Sequence, residues 1–81
     1  MKQYIATFFS HFGAVRFAHL CKERGWQGEV RPVPRSLSSS CGSCVYFTAP
    51  VEGEVQKIRT PELEQLVLAQ AGYPALYKAD E

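Results

Sequence analysis

The chain has 81 residues, of which 46% are hydrophobic and 21% charged, and its formal net charge is +1. This composition predicts one small globular domain over residues 1–81 and excludes a disordered chain. No apolar run is long enough to span a bilayer and the first residues lack the pattern of a secretion signal, so we expect a cytoplasmic protein. Lysine and arginine form no dense patch of the kind that nucleic-acid binding requires, and we expect no such partner.

The first elements are a strand and a helix. Residues 3–9 (QYIATFF) are rich in aromatic and β-branched side chains, which favours a buried strand. Ser10 is a typical N-cap residue, and over residues 11–24 the apolar side chains fall on one side at helical spacing. Gly25 then ends the predicted helix, because glycine takes the left-handed conformation without steric cost.

A cysteine-bearing loop lies between two predicted strands. Residues 29–33 predict a second strand, and Pro32 restricts its end to a sheet edge or to the loop itself. Residues 32–44 (PVPRSLSSSCGSC) are stiff at two prolines and then small and polar. This composition suits a loop that presents backbone amides and the thiols of Cys41 and Cys44, and it does not suit a core. Residues 44–49 (CVYFTA) predict a third strand.

The second half predicts a helix and a short strand. Residues 50–59 fit a polar excursion, a short hairpin or the first turns of a helix, and the pattern does not decide among them. Thr60 at an N-cap, Pro61 at the first helical position and Gly72 at the end predict a second helix over residues 60–72. Residues 75–78 (ALYK) predict the last strand.

This order of elements predicts an α+β fold, a ferredoxin-like βαββαβ two-layer sandwich whose antiparallel sheet carries two helices on one face. The topology places the cysteine loop at the end of the sheet where the first helix begins, near Ser10 and His11. A helix start carries unpaired amides and a partial positive charge, which favour the thiolate form of a nearby cysteine. Arg35 and His11 are the side chains expected to add to this effect.

Two stretches carry a resemblance to a known family. Residues 10–14 (SHFGA) and 32–42 (PVPRSLSSSCG) strongly resemble the small bacterial family of selenium/sulphur carrier-like proteins, and the likeness covers nearly the whole chain. The resemblance implies that Cys41 holds sulphur or selenium as a persulphide or perselenide. It also implies donor and acceptor proteins as partners.

The candidate site is therefore centred on Cys41. Cys44 has two competing interpretations, a resolving thiol that discharges Cys41 or a small buried hydrophobic residue. Cys21 lies on the apolar side of the predicted helix and is expected in the core. The residues expected to support the site are those of the helix start and of the loop: Ser10, His11, Arg35, Ser38, Ser39, Ser40 and Gly42.

Three classes of function fit these residues. The first is the sulphur or selenium carrier, and the second is an anion-binding or protein-interaction module built on the serine-rich loop. The third is a dithiol redox protein that uses the CGSC motif, which fits less well because the motif leads into a strand instead of opening a helix. We expect no metal centre, since a single CxxC supplies two ligands where structural zinc needs four. No cofactor is expected, and the oligomeric state stays open.

Overall fold

A computed structural model describes residues 2–50 and 52–79. These residues form two helices and five strands, which follow one another along the chain as β1 (Lys2–Phe8), α1 (His11–Glu23), β2 (Gln27–Pro32), β3 (Ser43–Ala49), α2 (Glu52–Lys57), β4 (Leu63–Leu68) and β5 (Ala75–Lys78).

The five strands form one antiparallel sheet in the order β2-β3-β1-β4-β5. The predicted α+β class is confirmed, as is the antiparallel sheet with two helices. The order differs from that of a simple ferredoxin-like sandwich, because a fifth strand is added beside β4. The centre of the sheet is β1, whose residues Tyr4 to Phe8 are all buried.

Both helices cover one face of the sheet. Phe47 of β3 is the aromatic centre of this layer, with ring centroids 5.3 Å from Tyr4, 5.2 Å from Phe17 of α1 and 5.8 Å from Trp26. Val55 of α2 belongs to the same buried cluster. Burying side chains of this size stabilises the fold by about 1.5–3 kcal/mol each, so this layer supplies most of the apolar burial.

The opposite face of the sheet is covered by the cysteine loop. Leu37 of this loop is buried and packs with Ile5, Cys44 and Val67, which come from three neighbouring strands. The expectation that the loop contributes nothing to a core is therefore wrong. One apolar residue among the serines is enough to anchor the segment on the sheet.

The ends of α1 follow the predicted capping chemistry. The Ser10 Oγ accepts a hydrogen bond from the Gly13 amide at 3.1 Å. At the other end Gly25 has a φ of 78°, the Gly25 amide donates to the Lys22 carbonyl, and the Trp26 amide donates to the Cys21 carbonyl. These two bonds form a Schellman motif, so the left-handed glycine was correctly predicted to end the helix.

The predicted helix over residues 60–72 is wrong, because most of this segment is β4. Thr60 and Pro61 begin a tight turn instead, in which the Leu63 amide donates to the Thr60 carbonyl at 3.1 Å. Proline suits the second position of such a turn as well as the first turn of a helix, so one signature serves both structures. Gly72 lies in a second turn with a φ of 81°, the left-handed conformation that a glycine after a helix would also adopt.

Residues 50–59, whose sequence fits a polar excursion, a hairpin or the first turns of a helix, contain the short helix α2. Val55 of α2 is buried, as is Ile58 just after the helix, and the other side chains of α2 are exposed or half-buried. Neither of the two helices in the described part of the chain is long and apolar enough to cross a membrane.

The start of α1 is packed too closely to accept a larger residue at Gly13. A Cβ atom built at this glycine would collide with the Cβ of Glu62. Gly13→Ala should therefore lower the free energy of unfolding by about 1–3 kcal/mol, although alanine is the better helix former. His19→Ala, on the exposed side of the same helix, is the control and should change it by less than about 0.5 kcal/mol. Urea unfolding measures both, and a stabilised Gly13→Ala variant would contradict the close approach.

Candidate functional site

The cysteine loop returns to the sheet beside the start of α1. The His11 Nδ1 and the Ser43 Oγ are 3.0 Å apart, which joins the first residue of α1 to the first residue of β3. The predicted placement of the loop at this end of the sheet is confirmed by that contact. It brings Cys41, two residues before Ser43, to the edge of the helix start.

Cys41 is half-buried, and its sulphur is held by Ser43. The Ser43 amide donates to the Cys41 Sγ at 3.4 Å, and the Cys41 Sγ lies 3.5 Å from the Ser43 carbonyl oxygen that a thiol can donate to. Between them Gly42 has a φ of 77°, a conformation that a side chain would strain. The loop therefore turns so that one backbone amide faces the sulphur.

The amides of the helix start are not the ones that reach this sulphur. Among the hydrogen bonds of the described residues, the backbone amide at the Cys41 Sγ is that of Ser43. The Gly13 amide is instead taken by the Ser10 side chain. The expectation that the first turn of α1 supplies amides to the thiol is corrected accordingly, and α1 contributes to the site through His11.

Glu64 fixes the loop one residue before Cys41. Its carboxylate accepts from the Ser40 amide at 3.2 Å, from the Ser40 Oγ at 2.6 Å and from the Thr7 Oγ1 at 3.3 Å. The register between β1 and β4 shifts here, since Thr7 pairs with Gln65 and Phe8 pairs with Leu63. Glu64 is thus the extra residue of a β-bulge, which turns its side chain toward the loop.

Two further contacts hold the serine run against the sheet. The Gln65 Nε2 donates to the Ser38 carbonyl at 2.7 Å, and the Ser39 Oγ donates to the carbonyl of Phe8 at 3.4 Å. Each of the three consecutive serines therefore has a partner on β1 or β4. The segment that carries Cys41 is an ordered part of the fold, held by the sheet that it covers.

The hydrogen bonds to Glu64 determine its charge state. Partial burial by itself would raise the pKa of this carboxyl, but the bonds from Ser40, Ser39 and Thr7 outweigh that effect, and the pKa lies below its ordinary value. The carboxylate form is the one that accepts these bonds. At neutral pH the loop is therefore held by a negative charge.

The same charge weighs against an anion-binding nest in this loop. The Ser40 amide and hydroxyl, which an external anion would need, already bind Glu64. Glu62 adds a second carboxyl beside Gly13, and its Oε1 is buried without a hydrogen bond in the described part of the chain. An incoming sulphate or selenite would have to displace one carboxylate and approach another.

Cys44 lies on the loop-covered face of the sheet and is fully buried. Its Sγ donates to the Pro32 carbonyl at 3.7 Å. Burial raises its pKa to about 11, although the positive charge of Arg31 opposes the shift. In this conformation Cys44 is a neutral core thiol of the loop-covered cluster, whereas Cys41 packs against the helix-side cluster.

The remaining predicted residues divide into two groups. Cys21 is buried on the inner side of α1 as predicted, and burial raises its pKa to about 12. Arg35 is exposed, and no hydrogen bond or ion pair joins it to either loop cysteine within residues 2–50 and 52–79. The basic side chain that acts on a loop thiol is instead Arg31, whose charge opposes the rise in the Cys44 pKa. The Arg31 Nε lies 3.2 Å from the Glu29 Oε1, and its guanidinium carbon lies 4.7 Å from the centre of the Tyr46 ring.

No set of three or more potential metal ligands comes together among the described His, Cys, Asp and Glu side chains. Cys44 follows the turn at Gly42 directly into β3, the strand context that the sequence predicted for the second cysteine of the CGSC motif.

Two comparisons with known proteins give a match. Residues 3–63 match a family model described as "Putative Se/S carrier protein-like". The chain is 28% identical over 72 residues to the uncharacterised protein YtiA of Escherichia coli (strain K12), an alignment that covers 89% of this chain and 85% of that protein. No solved structure matches the chain. The family match includes the whole cysteine loop and ends one residue before Glu64.

Replacing Glu64 by glutamine tests how the loop is held. Because the folded pKa of Glu64 is depressed, its contribution to stability is present above the ordinary glutamate pKa of about 4.3 and is lost as the pH falls through the lower folded value. Glu64→Gln should lower the free energy of unfolding at pH 7 by on the order of 1 kcal/mol, because the site is partly solvated. It should also reduce the amount by which the free energy of unfolding falls below about pH 4.3.

Urea unfolding between neutral pH and pH 3 measures both effects. Glu54→Gln removes the same charge from the exposed side of α2 and is the matched control. An acid dependence of Glu64→Gln equal to that of the wild type would contradict the role of the carboxylate.

The three thiols should differ in their rates of alkylation. Iodoacetamide should label Cys41 first, because Cys44 and Cys21 are buried and their pKa values are raised to about 11 and about 12. In urea the three rates should converge. Peptide mapping after timed quenching measures each rate, and labelling of either buried cysteine as fast as Cys41 in the native protein would contradict the structure.

Proposed function

The chain belongs to the Se/S carrier-like protein family, whose model it matches over residues 3–63, and we propose that it carries one sulphur or selenium atom on Cys41. The observation that carries this proposal is the setting of the three thiols. Cys41 is half-buried in a loop of small residues, whereas Cys21 and Cys44 are sealed in the two cores. A donor protein can therefore reach Cys41 without unfolding the chain.

Loading transfers one sulphur atom from a persulphide on the donor protein to the Cys41 thiolate. The Cys41 thiolate attacks the terminal sulphur of a persulphide on the donor protein, and a new S–S bond forms at the Cys41 Sγ. The S–S bond of the donor breaks, and the donor cysteine leaves as a thiolate with the electron pair. The products are Cys41 persulphide and the free donor thiol, with no external oxidant or reductant. A selenium donor reacts in the same way and leaves a perselenide.

The supporting residues have distinct roles in this proposal. The Ser43 amide, 3.4 Å from the Cys41 Sγ, stabilises negative charge on the sulphur, and His11 positions Ser43. The small side chain of Ser40 and the absence of a side chain at Gly42 leave room for the approaching donor. Ser10 keeps α1 in place by capping it.

The remaining loop residues act at longer range. Ser38 and Ser39 hold the loop on the sheet through their contacts with Gln65 and Phe8. Arg35, exposed on the same loop, adds positive charge that attracts an anionic donor or acceptor. Both donor and acceptor are proteins in this account, and the cytoplasm, where thiols stay reduced, is the proposed location.

We assign Cys44 a slow discharge reaction. As a thiolate it would attack the Cys41 sulphur of the loaded form, which gives a Cys41–Cys44 disulphide and releases hydrosulphide. Its burial and its pKa of about 11 keep this reaction slow at neutral pH and protect the cargo until an acceptor arrives. The carrier is favoured over a dithiol redox protein because Cys41 and Cys44 pack against different clusters and the CGSC motif leads into a strand instead of opening a helix.

Substitution of the two loop cysteines tests the carrier chemistry. After incubation with a cysteine desulphurase and cysteine, or with a selenium donor enzyme and its substrate, the intact mass of the wild type should increase by one sulphur or selenium atom. Cys41→Ser should show no added mass, because the attacking sulphur is missing. Cys44→Ala should load like the wild type. As the pH is raised toward 11, where Cys44 ionises, the wild type should lose its cargo faster and Cys44→Ala should not.

Cys21→Ala is the control for removal of a buried thiol, and it should load and discharge normally. Loading of Cys41→Ser to the same extent as the wild type, or no loading of the wild type by any persulphide donor, would refute the carrier function.

A further inference from the structure

The outer side of α1 exposes apolar residues close to its start. Phe12 is 63% exposed and Val15 is 37% exposed, and Phe9 just before the helix is 38% exposed. The fourth exposed large hydrophobic residue of the described chain, Val30, lies apart on β2. Single exposed apolar residues need no explanation, but three within seven positions mark an interaction surface.

Phe12, Val15, Arg16 and His19 follow the i, i+3, i+4, i+7 spacing, so they share one side of α1. We call this set the Phe12 stripe. The guanidinium of Arg16 lies 5.0 Å from the centre of the Phe12 ring. Aromatic residues and arginine are the types enriched at protein interfaces and at their energetic hot spots.

The Phe12 stripe begins one residue after His11, which contacts the segment that holds the thiol. Phe12 directly follows His11, whose Nδ1 is 3.0 Å from the Ser43 Oγ, and the Ser43 amide contacts the Cys41 Sγ. Transfer of sulphur between two proteins requires their reacting sulphur atoms to touch. We therefore expect a protein that reaches Cys41 from the side of α1 to contact Phe12 as well.

Positive side chains predominate on the exposed side of α1. Residues 1–22 contain no aspartate or glutamate, and Arg16 and Lys22 are exposed cations on this helix. The carboxylates that flank them are Glu23 at the end of α1 and Glu62 beside Gly13. A basic rim around an apolar centre is complementary to an apolar cleft rimmed by carboxylates.

We propose that the Phe12 stripe is the docking surface for the protein that donates sulphur or selenium to Cys41, and that this donor presents an apolar cleft with an acidic rim. The inference rests on the proposed carrier function, because the need for contact at Cys41 selects a donor protein over other occupants of an exposed helix. Phe12 fills the cleft, and Arg16 pairs with its rim.

Phe12→Ser and Arg16→Glu test this surface in the full chain. With a protein donor, either substitution should raise the KM for the carrier at least about tenfold, the effect typical of a hot-spot residue. For the wild type, added salt should raise KM, and Arg16→Glu should abolish that dependence. With polysulphide, a donor too small to use the surface, the loading rate of both variants should stay within about twofold of the wild type.

Two matched controls isolate the surface. Val30→Ser removes an exposed apolar side chain from β2, and Lys57→Glu makes the same charge change on α2. Both should leave the KM for the protein donor unchanged. An unchanged KM for Phe12→Ser and Arg16→Glu would overturn the docking surface, and so would an equal loss of polysulphide loading, which would indicate local damage at Cys41.

The other occupants have their own readouts. The wild type is tested for binding to vesicles of neutral and anionic phospholipid and for dimerisation in sedimentation. If Phe12→Ser abolished either of these while the KM for the protein donor stayed unchanged, the proposal would be overturned. Failure of polysulphide to load the wild-type Cys41 would instead refute the carrier function itself, and the docking inference would fall with it.

Discussion

Burial of β1 on both faces is the constraint on which the rest of the structure depends. Every residue from Tyr4 to Phe8 is buried, so the sheet needs a covering layer on each side. The helices supply one layer, and the cysteine loop supplies the other through Leu37. Burial of one leucine contributes about 1.5–3 kcal/mol, a large share of the stability of a small domain. The loop that carries Cys41 is therefore ordered because Leu37 packs on the sheet and buries its apolar side chains.

The β-bulge at Glu64 converts this covering into a defined site. An uninterrupted strand would alternate its side chains between the two faces, and the extra residue allows both Glu64 and Gln65 to reach the loop. Polar contacts from the sheet then fix the backbone on the N-terminal side of Cys41, while His11 and Ser43 fix it on the other side. The thiol is thereby placed in a short turn between two anchored points, with Cys44 separated from it beneath the loop.

The sequence predicted the elements whose signals are local. Ser10 and Gly25 have the chemistry of helix ends in any context, and the β-branched and aromatic runs of β1 and β3 suit only a buried strand. The segment from Thr60 to Leu68 was not predictable in this way, because Thr60 and Pro61 suit a turn as well as a helix start. Its leucines become a strand because β1 has a free edge that must be paired, which is a property of the whole sheet.

The same limit applies to the site. Cys41, the serine run and the neighbourhood of His11 follow from the loop composition and from the topology. Glu64 could not be found, since the sequence predicts it in a helix that does not form, and its contact with Ser40 spans 24 positions. The burial of Cys44 is not predictable from the sequence for a similar reason, because it depends on Leu37 covering that face of the sheet.

Locating the transferred atom in the wild-type protein tests the central claim most directly. The purified protein is loaded by a donor enzyme, its free thiols and persulphide are blocked with an alkylating reagent, and the peptides are mapped by fragmentation mass spectrometry without reduction. We expect the extra sulphur or selenium on Cys41 alone, with none on Cys21 or Cys44. An extra atom on Cys44 or Cys21, or none on any cysteine, would contradict it.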